Sequence, residues 1–287
     1  MKVILVPVAN REECKVALNA GFNIATRLNS SVSGVHIRPH RDDSKSASQK
    51  LWGGPYRFIP GVEWYKSELD DLVESQAALE LFEDIADKYH FNIRKRPTKK
   101  IKNMARWHEM VGDPNRVFSI MGPLSDLIIV SRPLKKSRGQ AHLFINAALF
   151  HSGRPIMMLP QKPLKTVGER ILIAWNQKTE VMQTIAAMMP LLQHANTVHI
   201  VTCGPENRPG PKMKHLQDYL RCWGVETEKT VMPGKNVSSE IEKVFKQTQS
   251  DLLLMGAYSR GKLTEWLLGG TTQYVLSNSQ LPVVMMH

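Results

Sequence analysis

The sequence predicts an α/β protein built from two tandem, doubly wound domains, each with a five-stranded parallel sheet. Short apolar runs alternate along the chain with segments of helical periodicity, which is the order of strands and helices in such a fold. The apolar runs lack the polar alternation of a half-exposed strand, as expected of strands that are covered on both faces. The pattern also occurs twice, so the two halves of the chain are predicted to share one fold.

An internal repeat divides the chain into these halves. Two segments of the first half recur in the second half with nearly the same separation between them. The pairs are Ser125–Val130 with Ser250–Met255, and Arg154–Leu159 with Leu281–Met286. We therefore predict one domain over residues 1–160 and a second over 169–287, with residues 162–168 as the linker.

Each element follows from its local pattern. Strands are predicted at the short apolar runs Val3–Val8, Ile128–Val130, Ile156–Leu159, Ile171–Ala174, Val198–Val201, Leu252–Met255 and Val283–Met286. Helices are predicted over residues 12–28, 63–90, 178–194, 212–223 and 236–249, where apolar residues recur at helical spacing. The second helix carries a stripe predicted to face the core, formed by Leu69, Leu72, Val73, Leu79, Phe82, Ile85, Ala86 and Tyr89. Asn236 or Ser238 is predicted to cap the last helix.

The composition is that of a globular protein without a membrane span. Hydrophobic residues make up 42% of the chain and charged residues 22%, and the longest apolar runs are far too short to cross a bilayer. The first residues do not have the pattern of a secretory signal peptide. The three cysteines, Cys14, Cys203 and Cys222, have no metal or redox spacing and are interpreted as free thiols in a reducing compartment. We expect a cytoplasmic protein.

The formal net charge of +12 favours anionic partners but does not identify one. Much of the excess lies between Arg94 and Arg106, a segment that we interpret as a solvated strand end and loop. Residues 40–62 have no counterpart in the second half and are predicted to form a long surface excursion. No motif that reads DNA or RNA accompanies the basic segment, so nucleic acid is the least favoured partner.

A glycine-containing loop near the C-terminus is the most informative stretch of the sequence. It leaves the strand at Gly256 and enters a helix just after Gly269 and Gly270. Backbone N–H groups at such a helix start can approach an anion closely, and Thr271, Thr272 and Arg260 would add hydroxyls and charge. The sequence thus predicts an anion or phosphate site, with glycines that serve helix packing alone as the alternative.

The same loop resembles that of the universal stress protein family. Nucleotide-binding members carry Gly, two residues, Gly, nine residues, Gly, then Ser or Thr. Gly256 and Gly269 match the first and last glycines, whereas Ser259 stands in place of the second glycine and Gly270 in place of the Ser or Thr. An acidic residue at the end of the first strand contacts the nucleoside in these relatives, and Asn176 takes that place here.

The resemblance, which runs through both halves, implies a tandem universal stress protein with a nucleotide-binding, α/β hydrolase-like superfold. The implied ligand is an adenine nucleotide, ATP, ADP or AMP, with Mg²⁺ accompanying ATP. The implied site residues are Asn176, Gly256, Ser259, Arg260, Gly269, Gly270, Thr271 and Thr272.

The first half has Ala9 or Asn10 in place of the acid and lacks the first glycine, so its loop is predicted to be degenerate. The final strands of the halves are expected to pair as an intramolecular pseudo-dimer, and a homodimer of two chains is left open.

Two functional hypotheses stand side by side at this point. The first is a stress-response regulator that binds an adenine nucleotide in its second domain and acts through conformation or assembly. The second is a scaffold that binds protein partners, still unidentified, without a nucleotide. Whether turnover occurs is left open, with weak ATP hydrolysis as the most that is expected. A hydrolase nucleophile elbow is incomplete, because Ala257 stands where its first glycine belongs.

Overall fold

The computed structural model describes residues 1–38, 68–97, 102–132, 138–257 and 280–287. Residue contacts divide the chain into an N-terminal unit, Lys2–Arg154, and a C-terminal unit, Pro155–His287, which also includes Met1. Each unit is an α/β structure with a largely parallel sheet. The predicted α/β class is confirmed.

The N-terminal unit contains a parallel sheet of five strands. They are β1 (Val3–Pro7), β2 (Ser31–Arg38), β3 (Asn92–Ile93), β4 (Met104–Val111) and β5 (Leu127–Ser131). Their order across the sheet is β3-β4-β2-β1-β5, and every neighbouring pair is parallel. The helices are α1 (Glu12–Leu28), α2 (Glu68–Lys88), α3 (Pro114–Met121) and α4 (Arg138–His151). Helices α1 and α2 pack against each other, and α3 packs against α4.

Aromatic packing fills the centre of the N-terminal unit. The Phe22 ring on α1 lies 5.6 Å from Phe82 and 5.0 Å from Phe91, measured between centroids. Gly34 on β2 makes room for this cluster, because a Cβ atom there would lie 2.7 Å from the Phe82 ring. The sequence pattern did not predict β2, since its glycine and serines interrupt the apolar run although the strand is buried for most of its length.

The C-terminal unit contains a sheet of six strands. They are β6 (Ile156–Leu159), β7 (Arg170–Trp175), β8 (Thr197–Cys203), β9 (Glu228–Met232), β10 (Leu252–Gly256) and β11 (Val283–Met286), in the order β6-β11-β10-β7-β8-β9. Five strands are parallel, whereas β6 runs antiparallel to β11 with Met157 opposite Val284. The last strand of the first sequence repeat thus pairs with the last strand of the second.

The helices of the C-terminal unit follow the strands in alternation. They are α5 (Thr179–Ala187), α6 (Met189–Leu192), α7 (Met213–Cys222) and α8 (Val237–Gln247). The single helix predicted over 178–194 is wrong in one respect, because it is divided at Met188. Pro190 lies at the start of the second piece and cannot donate the N–H group that a continuous helix would need there.

The predicted core stripe of α2 is only partly correct. Phe82, Ile85 and Ala86 are buried, but Leu72 is 54% exposed and Val73 is 68% exposed. Ser75 and Ala78, which were not in the predicted stripe, are buried as well. The interpretation of the basic segment holds for Arg94, Lys95 and Arg96, which are all exposed, but not for Arg106, which is half-buried on β4. The predicted excursion over 40–62 lies outside the described residues.

The described residues bear on the cysteines, on membrane spans and on metal sites. The three cysteines are free thiols. No helix within the described ranges combines the length and apolar character that a membrane crossing requires. In the same part of the chain, no group of three or more His, Cys, Asp or Glu side chains could hold a metal ion.

Candidate functional site

The strand order of the C-terminal unit creates a switch point between β7 and β10. From β7 the chain moves outward through β8 to β9, and it then returns to the other side of β7 to form β10. The next strand after β7 thus lies on one side of this pair, and the next strand after β10 lies on the other. In open α/β sheets, ligands bind in the crevice at such a switch in strand order. The residues that follow β7 and β10 accordingly define the candidate site.

Asn176 lies at the end of β7 with an exposed side chain. Its side-chain oxygen Oδ1 accepts a hydrogen bond from the backbone N–H of Lys178 at 3.1 Å. This bond orients the amide group and leaves the side-chain NH₂ to donate to a ligand. The preceding residue, Trp175, is only 2% exposed. Its ring is therefore part of the core and is not available to stack on the base of a nucleotide.

The loop between β8 and α7 is tied to the same strand end by Gln177. Gln177 is buried, and its side-chain amide donates to the Arg208 carbonyl at 3.2 Å while its Oε1 accepts from the Arg208 N–H at 3.3 Å. The Arg208 guanidinium in turn donates through Nη1 to the Asn176 carbonyl at 3.3 Å. A positive charge is thus held beside Asn176.

Gly256 ends β10 directly against the start of helix α5. A Cβ atom at this position would lie 2.8 Å from the Val181 nitrogen and 3.0 Å from the Glu180 Cβ. Nearby, the Thr184 hydroxyl donates to the Met255 carbonyl at 3.1 Å. Gly256 therefore allows the close approach of strand and helix, which is a packing role for the first glycine of the predicted loop.

Three of the described helices begin at this edge of the sheet, and side chains already accept N–H groups at two of them. The predicted cap Asn236 accepts the Ser239 N–H of α8 at 3.2 Å. At α8, the Glu240 carboxylate accepts the N–H groups of Gly234 at 2.8 Å and Lys235 at 3.0 Å. At α7, Glu206 accepts the N–H of Met213 at 2.6 Å. Helix α5 differs from these two, because no side chain among the described residues accepts the N–H groups of its first turn, although the acidic Glu180 lies in that turn. The N–H groups at the start of α5 are thus not occupied by a side chain of the described residues.

The capped turn before α8 also involves a thiol. Burial raises the pKa of Cys203 to about 12, and its hydrogen bond to Glu240 and the charge of that carboxylate act in the same direction. For Glu240 itself, desolvation raises the pKa, but hydrogen bonds from the Gly234 and Asn236 N–H groups, the Cys203 thiol and the Lys235 N–H outweigh it and lower the pKa. At neutral pH, the Glu240 side chain is therefore an ionised carboxylate that accepts hydrogen bonds from the turn.

Most of the predicted site residues lie outside the described part of the chain. They are Ser259, Arg260, Gly269, Gly270, Thr271 and Thr272. The two that are described, Asn176 and Gly256, lie at the ends of adjacent strands on the two sides of the switch point.

The N-terminal unit lacks these groups at the equivalent positions. The pairing of Ile4 with Leu127 corresponds to the pairing of Ile171 with Leu252, which makes Ala9 the counterpart of Asn176 and Ser131 the counterpart of Gly256. Arg132 follows Ser131 and is only 5% exposed, and burial lowers its pKa to about 10. The described residues of this unit therefore provide neither the polar side chain nor the glycine of the C-terminal site.

Gln177, Arg208 and Glu240 were not predicted as residues of this region. Gln177 has a φ of 63°, a left-handed conformation that the sequence pattern does not indicate. Glu240 could have been found, because it follows Asn236 near the start of a helix, where a carboxylate commonly reaches back to backbone N–H groups. Arg208 lies in a loop rich in Gly and Pro, and nothing in the sequence predicts its partner.

The comparisons with known proteins agree with this architecture. Residues 205–287 match the model of the universal stress protein family. This part contains α7, α8, the last three strands and the predicted glycine loop. No curated protein matches the chain.

Two solved structures resemble the whole chain in fold. A universal stress protein from Archaeoglobus fulgidus DSM 4304 has a TM-score of 0.69 and 14% sequence identity over 99% of this chain and 97% of its own. A protein of unknown function from Pseudomonas aeruginosa PAO1 has a TM-score of 0.57 and 16% identity over 100% of this chain and 92% of its own. At these identities the likeness defines the class of fold, a doubly wound α/β structure of the kind found in universal stress proteins. The likeness in sequence is that of residues 205–287.

Proposed function

We propose that the protein binds an adenine nucleotide, ATP, ADP or AMP, at the carboxyl ends of β7 and β10 in its C-terminal unit. In this proposal it acts as a cytoplasmic stress-response regulator through a change in conformation or assembly, with Mg²⁺ accompanying bound ATP. The observation that carries the proposal is the position of Asn176 and Gly256 on the two sides of the switch point, beside a helix start without a side-chain cap.

Charge and sequence support the same site. The Arg208 guanidinium beside Asn176 favours a ligand with phosphate groups. The loop that starts at Gly256 continues, in sequence, to the glycines and threonines proposed to hold those phosphates, namely Gly269, Gly270, Thr271 and Thr272, with Ser259 and Arg260 near its start. This loop lies within the part of the chain that matches the universal stress protein model.

A protein-binding scaffold without a nucleotide is the alternative function. Asn176 favours it, because an amide replaces the acidic residue of the nucleotide-binding relatives and its Oδ1 is already bonded to the Lys178 N–H. In that case the glycines would serve packing alone, as Gly256 does against α5.

Nucleotide titration separates the two functions. Calorimetry and thermal unfolding of the full chain with ATP and Mg²⁺, with ADP and with AMP should reveal saturable binding, and a ligand at 100 times its Kd should stabilise the fold by about 2.7 kcal/mol. Absence of any heat or shift at millimolar nucleotide would reject the nucleotide site and favour the scaffold. Light scattering with and without the nucleotide would measure any change in assembly.

A further inference from the structure

The position of Arg208 is fixed by its own backbone. Gln177 bonds both the N–H and the C=O of Arg208, so the loop between β8 and α7 is held at the end of β7 independently of the arginine side chain. The guanidinium then reaches the Asn176 carbonyl with a single N–H group. A guanidinium has five N–H donors, so several are left for another acceptor.

The charge of Arg208 has no acidic partner among the described residues. Arg221, by contrast, pairs with Asp218 at 3.2 Å and with Glu226 at 3.7 Å. The acidic residue in the loop of Arg208, Glu206, has one carboxylate oxygen bonded to the Met213 N–H at the start of α7. An exposed cation is therefore held beside the proposed site without a carboxylate to neutralise it.

Within the described residues, two other groups of backbone N–H donors at this edge of the sheet are occupied by carboxylates of the protein itself. Glu240 fills the turn before α8, and Glu206 caps α7. Arg208, beside Asn176, is in this part of the chain a cationic group still available to a negatively charged ligand. We propose that Arg208 binds the phosphate group of the ligand and makes the site select nucleotides over uncharged nucleosides, an inference that rests on the proposed function.

The inference predicts different effects on two ligands that differ only in phosphate. A hydrogen bond to a charged group contributes enough that its loss should raise the Kd of AMP about 10- to 100-fold in Arg208→Ala, whereas the Kd of adenosine should stay within about twofold. Arg208→Lys retains the charge without the planar fork and should give an intermediate Kd for AMP. Arg221→Ala removes the same charge from an exposed, paired position and should leave both Kd values unchanged.

Calorimetric titration of the full-length variants with AMP and with adenosine measures these values, after thermal unfolding has shown that each variant folds. An unchanged Kd for AMP in Arg208→Ala would overturn the inference while the proposed function stands. An equal loss of AMP and adenosine binding would also overturn it, because the side chain would then contact the nucleoside. If the wild-type chain binds neither ligand, the proposed function fails and the inference fails with it.

Discussion

Asp126 and Asp251 make the same hydrogen bonds in their respective units. The backbone N–H of Asp126 donates to the Val3 carbonyl and that of Asp251 to the Arg170 carbonyl, each at 2.8 Å. Each carboxylate also accepts an N–H group at the start of the neighbouring strand, from Val3 of β1 at 3.0 Å and from Arg170 of β7 at 3.0 Å. One side chain in each half thus fastens the strand before the switch point to the strand after it.

Replacement of these aspartates should destabilise the fold unequally. Asp126 also accepts the Lys2 N–H, whereas Asp251 also accepts the N–H groups of both Gly168 and Glu169. Asp251→Ala should therefore lower the free energy of unfolding by about 2 kcal/mol and Asp126→Ala by somewhat less, about 1 kcal/mol. Asp218→Ala, which removes an exposed partner of Arg221, serves as the control and should change it by less than about 0.5 kcal/mol. Urea unfolding measures all three, and equal effects of Asp251→Ala and Asp218→Ala would refute the fastening role.

The pKa of Glu240 predicts a loss of stability in acid. Because the folded state lowers this pKa, the carboxylate stabilises the fold fully above its unfolded pKa of about 4.3, and the contribution is lost as the pH falls through the lower folded value. Glu240→Gln should therefore be less stable than the wild type near pH 7, and the difference should shrink below about pH 4.3.

The control for this change is Glu242→Gln on the same helix. Urea midpoints measured from about pH 3 to about pH 7 give the comparison. A difference between Glu240→Gln and wild type that stays constant over this range would mean that the charge of the carboxylate is not what stabilises the turn.

A side chain at position 256 should push the end of β10 away from the start of α5. The Cβ of Gly256→Ala would overlap the start of α5, and Gly256→Val would overlap it more, so we expect losses of about 1 and about 3 kcal/mol in the free energy of unfolding. Chemical denaturation provides the measurement. Wild-type stability in Gly256→Val would show that the helix can move away from β10 at no cost.

The thiols should differ in their rates of alkylation. Burial raises the pKa of Cys14 to about 11 and that of Cys203 to about 12, so both are almost entirely protonated near neutral pH. Cys222 is exposed on α7. Iodoacetamide at about pH 8 should modify Cys222 more than about tenfold faster than the other two, as followed by mass spectrometry of peptides. Comparable rates at Cys203 and Cys222 would mean that the turn before α8 opens readily.

Gly269→Val tests the loop that is proposed to hold the phosphates. If its backbone N–H groups approach a nucleotide, a branched side chain should abolish binding of ATP and AMP while the thermal midpoint of the free protein stays close to that of wild type. Thermal unfolding with and without nucleotide makes both measurements. Retained affinity would assign the phosphates to another part of the chain.

The apolar strands were predictable from sequence, whereas the polar ones were not. Every predicted strand is observed, and β6 and β11 have the predicted bounds, because strands covered on both faces consist of short runs of Ile, Val, Leu and Met. Strand β4 was missed because Arg106, His108 and Glu109 interrupt its pattern. Strand β9 lies at the edge of its sheet and is mostly exposed, so burial does not select its residues.

The sequence predicts a location for the candidate site but not the contacts around it. Asn176 and Gly256 were named from the resemblance to the universal stress protein family, and the order of strands brings the two strand ends together. The contacts that shape the site depend on pairs distant in sequence, such as Gln177 with Arg208 and Gly256 with Glu180. No local pattern encodes them, since the partner becomes known only after the chain has folded.

The antiparallel pairing of β6 with β11 limits where the protein can be truncated. A fragment that starts at residue 169 would lack β6 (Ile156–Leu159). Strand β11 (Val283–Met286) would then be an apolar edge strand whose backbone groups on that side are unpaired. Such an edge invites pairing with any extended peptide, including a second fragment. A truncation before Pro155 retains β6, which covers this edge of β11. The position of the truncation therefore decides whether the remaining fragment resists aggregation or is prone to it.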